Sequence, residues 1–207
     1  MSDYLARPKP SLRGGILVIH AWWGLNGFFE NLCDRLAAQG YVALAPDLYD
    51  GAVAQTIPEA EKLRDQLKRK TVEARILEAL KELQAEVQAK PVGVAGFSLG
   101  AYFALGLVEQ NPKDIAATIL FYGTRGMKDT GTRSAFLGHF AENDEYESAS
   151  SRKKLEKTLK TAGKETTFHV YPGTRHWFFE DDRPEFDPPA AELAWQRTIA
   201  FLKDYLA

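Results

Sequence analysis

Short, largely apolar runs alternate with longer amphipathic or charge-rich stretches along this chain. The runs are four to eight residues long, as expected for strands that are buried on both faces of a sheet. They predict strands over residues 15–20, 41–45, 92–95, 115–122, 134–140 and 166–171. The stretches between them predict helices over residues 28–39, 58–89 with a candidate break near 70–71, 99–111, 150–162 and 188–206.

This alternation of strands and helices predicts an α/β fold, with a mostly parallel, doubly wound sheet that helices cover on both faces. Residues 1–14 are polar and contain Pro8 and Pro10, so we expect a lead-in or a short edge strand there. The chain has 207 residues, 45% of them hydrophobic, and no internal repeat or long linker. We therefore expect one domain over residues 1–207.

Composition narrows the function classes. A formal net charge of −2 gives no sign of a nucleic-acid or anionic-membrane partner. The single cysteine, Cys33, excludes an internal disulfide and a multi-cysteine zinc site, and its helical flanks predict a small buried residue. The first ten residues lack the apolar stretch of a secretory signal, and no run is long enough to span a membrane. We expect a cytoplasmic protein, monomeric or a small homo-oligomer, with no cofactor or metal.

One strand-to-helix turn carries the strongest chemical signal. Gly96-Phe97-Ser98-Leu99-Gly100 follows an apolar strand and precedes a helical run, which is the context of a nucleophile elbow. In so tight a turn the residues two before and two after the serine must lack side chains. The alternative is a glycine-rich turn that is packed closely for fold reasons alone. The glycine spacing of a dinucleotide site and the lysine of a phosphate-binding loop are both absent from the sequence.

A serine nucleophile needs a base, and the base needs a carboxylate to orient it. In this architecture the order along the chain is serine, acid, histidine, each at the carboxyl end of a strand. His176 is the histidine in a suitable downstream loop, whereas His139 and His169 lie in predicted strands and are expected to be structural. His20 lies beside the expected oxyanion loop. Two roles are open for it there, as a wall of the site or as an orienting residue.

Three carboxylates, Glu142, Asp144 and Glu145, crowd the turn that should supply the acid, and their spacing alone does not choose among them. We expect the oxyanion hole to use the backbone N–H groups of Leu99 and Trp22. Aromatic residues near the strand ends are the candidate substrate-binding walls, with core packing as the alternative. They are Trp23, Tyr49, Tyr122 and Phe179.

Six segments together resemble the dienelactone hydrolase family of α/β-hydrolases. They are residues 19–26, 45–49, 92–100, 121–123, 140–144 and 171–176. Pro46-Asp47-Leu48-Tyr49 is more particular to the family than the elbow is. The resemblance covers most of residues 15–206 and implies a compact hydrolase fold without a large cap. It also implies that Ser98, Asp144 and His176 occupy the triad positions.

The sequence departs from the family pattern at three site positions. Members that open dienelactones have Cys in place of Ser98, Glu in place of Ala21, and a carboxylate-binding Arg in place of Glu180. The segment before Gly15 is also shorter than usual. A hydrolase is still expected, but a dienelactone substrate does not follow.

We therefore expect a serine hydrolase that cleaves small carboxylic esters through an acyl-enzyme. A thioesterase or lactonase with the same triad is the alternative within enzymes, and a non-catalytic binding protein is the alternative outside them. Glu180, Asp181 and Asp182 predict an acidic rim beyond His176, although Arg175 and Arg183 lie nearby. Such a rim favours neutral short-chain esters over anionic ones.

Overall fold

Seven strands form one sheet in the computed structural model, which describes residues 3–9, 11–128 and 131–206. The strands are β1 Tyr4–Ala6, β2 Gly14–Ile19, β3 Tyr41–Ala45, β4 Val92–Phe97, β5 Ala117–Phe121, β6 Ala135–Asn143 and β7 Thr166–Arg175. Their order across the sheet is β1-β3-β2-β4-β5-β6-β7. Only β1 is antiparallel, so the mostly parallel sheet is confirmed and the N-terminal segment supplies a short edge strand.

Six helices connect and cover these strands in the described part of the chain. They are α1 Gly27–Ala38, α2 Ile57–Gln66, α3 Arg69–Val87, α4 Leu99–Gln110, α5 Ala149–Thr161 and α6 Pro188–Leu206. The charge-rich region is two helices, and the break is at Leu67 and Lys68, slightly earlier than predicted. No glycine or proline marks this break, which explains why the sequence pattern misplaced it. None of the helices in the described residues is long and apolar enough to span a bilayer.

The core lies on both faces of the sheet. Along β2, Ile16 and Val18 face the side covered by α1 and α6, while Leu17 and Ile19 face the side of α3, α4 and α5. All six residues of β2 are buried. Because full burial of an aliphatic side chain contributes about 1.5–3 kcal/mol, the central strands form the most strongly anchored part of the fold.

Three parallel strands run further than their apolar runs predicted. β4 extends to Phe97, β6 to Asn143 and β7 to Arg175. The polar ends of β6 and β7 pair with each other, across a register shift between Ala141 and Asn143. These extensions bring the residues that follow the three strands to one edge of the sheet.

Candidate active site

Ser98 lies in a strained turn between β4 and α4. Its backbone has φ 50° and ψ −109°, a region that side-chain-bearing residues rarely adopt. A Cβ on Gly96 would lie 2.5 Å from the carbonyl oxygen of Gly100, and a Cβ on Gly100 would lie 2.1 Å from that of Ile19. Steric exclusion on both sides of the serine therefore explains the spacing of the two glycines.

Strain is concentrated around this turn. Five non-glycine residues among those described have positive φ, and three of them are Ser98, Tyr122 and Trp177. Tyr122 follows β5 and Trp177 follows His176 directly after β7. The Ser98 N–H donates to the carbonyl of Phe121 at 2.9 Å, so the sheet itself holds the serine turn. Backbone strain that the fold overdetermines in this way is typical of functional sites.

A continuous hydrogen-bonded chain links three side chains at this edge. Ser98 Oγ lies 2.9 Å from His176 Nε2, and His176 Nδ1 lies 2.8 Å from both carboxylate oxygens of Asp144. The side chains of His176 and Asp144 are each 4% exposed. In this arrangement the imidazole can accept the serine proton while the carboxylate holds the proton on Nδ1.

The turn after β6 distinguishes the three candidate carboxylates. The backbone N–H groups of Tyr146 and Glu147 donate to Asp144 Oδ1 at 2.9 and 2.8 Å. Glu142 instead accepts from the N–H of Gly173 at 2.9 Å, and Glu145 pairs with the exposed Arg175. Asp144 is thus the carboxylate that contacts His176.

His20 holds the loop that follows β2. The N–H of Leu48 donates to His20 Nε2 at 3.3 Å, so the ring proton is on Nδ1, which donates to the carbonyl of Ala21 at 2.6 Å. Burial lowers the pKa of His20, in keeping with this neutral form. Of the two roles left open for His20, these contacts favour the orienting role over that of a pocket wall.

The two predicted oxyanion donors lie in the loop after β2 and at the start of α4. Trp22 is in the His20 loop, and Leu99 is the first residue of α4. Within the described residues, no backbone hydrogen bond has the N–H of Trp22 or Leu99 as its donor. An oxyanion hole requires unpaired N–H groups of this kind, and the role of these two residues stays a prediction.

Stacked aromatic rings cover the outer side of the site. The ring centroids of Trp22 and Trp177 are 5.9 Å apart, and Trp23 lies 5.1 Å from Trp177. Tyr146, which the sequence reasoning did not identify, lies 5.0 Å from His176 and 4.9 Å from Trp177. No sequence signal singled out Tyr146, because the rings that it contacts belong to residues that follow the distant strand β7.

Two cavities adjoin these rings. The smaller, of about 130 Å³, borders the triad histidine and is lined by Ile57, Asn143, Glu145, Tyr146, Arg175, His176, Trp177 and Glu185. The larger, of about 430 Å³, lies between the start of α4, the segment after β5, and α5; Tyr102, Arg125, Tyr146, Glu147 and Lys154 are among its walls. Tyr146 is a wall of both cavities.

None of the four predicted substrate walls lines either cavity. Phe179 packs in the core against Phe121, 4.5 Å between ring centroids, which is the core-packing alternative to a substrate wall. Tyr49 packs on His20 at 5.3 Å, and Trp23 lies under the guanidinium of Arg183 at 4.3 Å. The fourth, Tyr122, packs on the His176 ring, with 4.9 Å between the ring centroids.

Glu180 is not on an acidic rim, as the sequence predicted, but is completely buried. It accepts a 2.6 Å hydrogen bond from the Tyr122 hydroxyl. Burial raises the pKa of Glu180 to about 8. The turn after His176 folds this side chain inward, and Asp181 and Asp182 remain at the surface.

The remaining candidates are structural. His139 is buried and hydrogen-bonded to Tyr171 and Thr198, at 2.7 and 3.0 Å. Cys33 is buried in α1, and burial raises the pKa of its thiol. A search of the described residues finds no group of His, Cys, Asp and Glu side chains that could hold a metal ion.

Comparison with known proteins places the chain among hydrolases. The model of the dienelactone hydrolase family matches residues 1–206. The chain is 32% identical to a putative carboxymethylenebutenolidase of Aquifex aeolicus (strain VF5), over 98% of this chain and 93% of that protein. It is also 32% identical to Protein usf of Aquifex pyrophilus, with the same coverage.

The fold has a close counterpart among solved structures. A putative dienelactone hydrolase from Klebsiella pneumoniae superposes with a TM-score of 0.86 at 25% identity, covering 98% of this chain and 92% of that one. The resemblance that the sequence motifs indicated is thereby confirmed, as is the α/β-hydrolase fold. The chain belongs to the dienelactone hydrolase family and is an esterase-like hydrolase.

Proposed function

We propose that this protein is a serine hydrolase that cleaves small carboxylic esters through an acyl-enzyme intermediate. The observation that carries the proposal is the unbroken hydrogen-bonded chain from Ser98 through His176 to Asp144. A non-catalytic relative that only binds a ligand has no need of this chain. Its strained serine turn would also be a cost without a function.

In the first half-reaction His176 Nε2 takes the proton from Ser98 Oγ as that oxygen attacks the ester carbonyl carbon. The negative charge that develops on the carbonyl oxygen is stabilised by the backbone N–H groups of Leu99 and Trp22. The tetrahedral intermediate then collapses, and the C–O bond to the leaving group breaks. The proton on Nε2 goes to the departing oxygen, so that the alcohol leaves neutral and Ser98 carries the acyl group.

In the second half-reaction a water molecule takes the place of the alcohol. His176 removes a proton from the water, whose oxygen attacks the acyl carbon, and then returns the proton to Ser98 Oγ as the acid leaves. Asp144 stays ionised throughout, keeps the imidazole in the Nδ1–H tautomer, and stabilises the imidazolium. Its two backbone donors hold it in place for this role.

The residues around the triad favour a small substrate that carries no negative charge. The cavity beside His176 is lined by the rings of Tyr146 and Trp177, and by two carboxylates against one guanidinium. Arg183, the cation nearest to the position of the family's arginine, is paired with Asp182 and packed on Trp23. An anionic substrate would therefore lose its hydration there without gaining a free cationic partner.

A lactone or thioester is the second candidate, and the family supports it. Relatives of this chain include a putative carboxymethylenebutenolidase and, at 27% identity, a probable 2-oxo-3-(5-oxofuran-2-ylidene)propanoate lactonase of Bradyrhizobium sp. The same triad chemistry applies to lactones and thioesters, because each presents an activated carbonyl to the nucleophile. Dienelactone itself is disfavoured, since Glu180 replaces the arginine that would hold its carboxylate.

The test is a panel of p-nitrophenyl esters, acyl thioesters and neutral lactones, assayed with the wild type and Ser98→Ala. We expect Ser98→Ala to abolish turnover with an unchanged circular dichroism spectrum, and the exposed Ser11→Ala variant to behave as the wild type. A serine-directed phosphonate should label Ser98 alone. Labelling at Cys33, or no labelling of an active preparation, contradicts the assignment.

A further inference from the structure

Glu180 is a carboxyl group beside the triad that the proposed mechanism does not use. Its side chain is completely buried, and its Oε1 accepts the hydroxyl of Tyr122 at 2.6 Å. Its Oε2 is also buried and has no hydrogen-bond partner among the described residues. A buried carboxylate with one donor and an unpartnered oxygen is costly, whereas a neutral carboxylic acid is tolerated.

Tyr122 connects this carboxyl group to the catalytic imidazole. Its ring lies 4.9 Å from the ring of His176, and its N–H donates to the carbonyl of His139 at 2.8 Å. Tyr122 also has a positive φ of 37°, which the fold must maintain. The hydrogen bond to Glu180 anchors the far end of this strained residue, so the two side chains form a rigid support under His176.

The charged and titratable groups around Glu180 come from several elements. Tyr122 on the loop after β5 donates to it and lowers its pKa, and Arg183 has the same effect by charge. Asp182 and Glu185, from the loop before α6, raise it. Asp144, after β6, acts on the adjacent Tyr122, whose pKa burial raises well above its usual value. Burial is the largest influence on Glu180 and raises its pKa to about 8.

We propose that Tyr122 and Glu180 form a positioning pair for His176 that is competent while Glu180 is protonated and that slows ester hydrolysis when Glu180 ionises. The inference rests on the proposed function, since it concerns the same triad. Glu180 is a positioning residue: it anchors Tyr122 against the imidazole, its charge acts at a distance, and it does not touch the reacting atoms.

Ionisation of Glu180 slows the reaction through its charge. It places a second buried negative charge near the site, in addition to that of Asp144, and this charge disfavours the oxyanion that forms on the substrate carbonyl oxygen. A loss of activity that coincides with the ionisation of Glu180 would be the signature of this pair.

The experiment is a profile of kcat/KM against pH from 6 to 9 on a neutral p-nitrophenyl ester. We expect the wild type to lose about tenfold across the ionisation of Glu180, as an added buried charge near the site would cause. Glu180→Gln keeps an acceptor for Tyr122 and cannot ionise, so its profile should be level at high pH. A retained loss in Glu180→Gln overturns the proposal.

Two further variants should move the inflection in opposite directions. Tyr122→Phe removes a hydrogen bond that favours the carboxylate and should shift the loss to higher pH. Asp182→Asn removes a charge that disfavours the carboxylate and should shift it to lower pH. The exposed neighbour Asp181 is the matched control, and Asp181→Asn should leave the inflection in place. Shifts in the wrong direction contradict the proposal.

A readout that does not need activity separates this inference from the proposed function. The chemical shift of the His176 ring should show an inflection near pH 8, caused by the ionisation of Glu180, that is absent in Glu180→Gln. A wild type with this inflection but no turnover of any ester would refute the proposed function alone. An active wild type without the inflection would refute the role of Glu180 alone.

Discussion

Asp144 contacts His176 directly, whereas Glu180 contacts Tyr122, which packs on the His176 ring, and the two buried carboxyl groups differ in the donors that reach them. Asp144 accepts from the imidazole and from the N–H groups of Tyr146 and Glu147. Glu180 accepts from the hydroxyl of Tyr122, and its second oxygen has no partner among the described residues. Both side chains are almost or completely removed from solvent, so burial alone does not distinguish them.

The comparison shows that hydrogen-bond donors decide what a buried carboxyl group can do. Donors to both oxygens stabilise the charged form, which suits Asp144 to the role of an anionic orienter. A carboxyl group with a single neutral donor is more stable as the acid, which suits Glu180 to a structural support that changes with pH. The same residue chemistry thus has two different uses within one site.

The largest effect should come from removing the charge of Asp144. Asp144→Asn leaves His176 without its anionic partner and favours the wrong tautomer, so kcat should fall by up to about 10⁴. Glu142→Gln is the matched control from the same turn, since Glu142 contacts Gly173 and not His176. Steady-state kinetics on a short ester compares the two, and a larger loss in Glu142→Gln would move the acid to that residue.

The second effect is on stability, and it tests the Glu180 side of the comparison. Folding raises the pKa of Glu180 from 4.5 to about 8, so the folded state binds more protons than the unfolded state between these values. Stability should therefore fall as the pH rises, by about 3 kcal/mol between pH 5 and pH 8.

Urea unfolding of the wild type and of Glu180→Gln at both pH values measures this effect. The glutamine variant carries a constant cost for its buried amide but lacks the pH-dependent part. As the pH rises, the unfolding free energy of the wild type should therefore fall relative to that of Glu180→Gln. Parallel pH dependence in the two proteins would show that Glu180 does not change its charge state on folding.

The smallest effect should be on substrate charge, because exposed charges are screened. The cavity beside His176 is lined by Glu145, Glu185 and Arg175, of which Glu145 and Arg175 are exposed and paired. We expect neutral short-chain esters to have higher kcat/KM than carboxylate-bearing analogues by a few-fold at low salt, with the gap narrowing as salt is added. The substitution Glu185→Gln should also narrow this difference in kcat/KM between neutral and carboxylate-bearing esters.

Equal or better turnover of anionic esters at low salt would indicate that the charged end of the substrate binds elsewhere in the site. The larger cavity contains Arg125 and Lys154 among its walls, together with Glu147. An anionic group held there would escape the carboxylates beside His176. The same measurement with Lys154→Gln would then show which of the two cavities receives the charged end of the substrate.

Much of the site was predictable because its constraints are local. The glycine spacing around Ser98 follows from steric exclusion in one turn, and it can be read from five residues. The order of serine, acid and histidine follows from the sequence of strands. The choice of Asp144 over Glu142 was not local: it rested on the family resemblance, and the structure provides the contact with His176.

The sequence by itself determined the alternation of strands and helices, the nucleophile turn, and the chain positions from which an acid and a base are drawn. These features depend on periodicity and on backbone sterics within a few residues. Only the tertiary structure decided that Glu180 is buried rather than on a rim, that Phe179 belongs to the core, and that Tyr146 lines two cavities. Burial and contact between residues far apart in the chain depend on how β5, β6 and β7 meet at one edge, and no local pattern encodes that meeting.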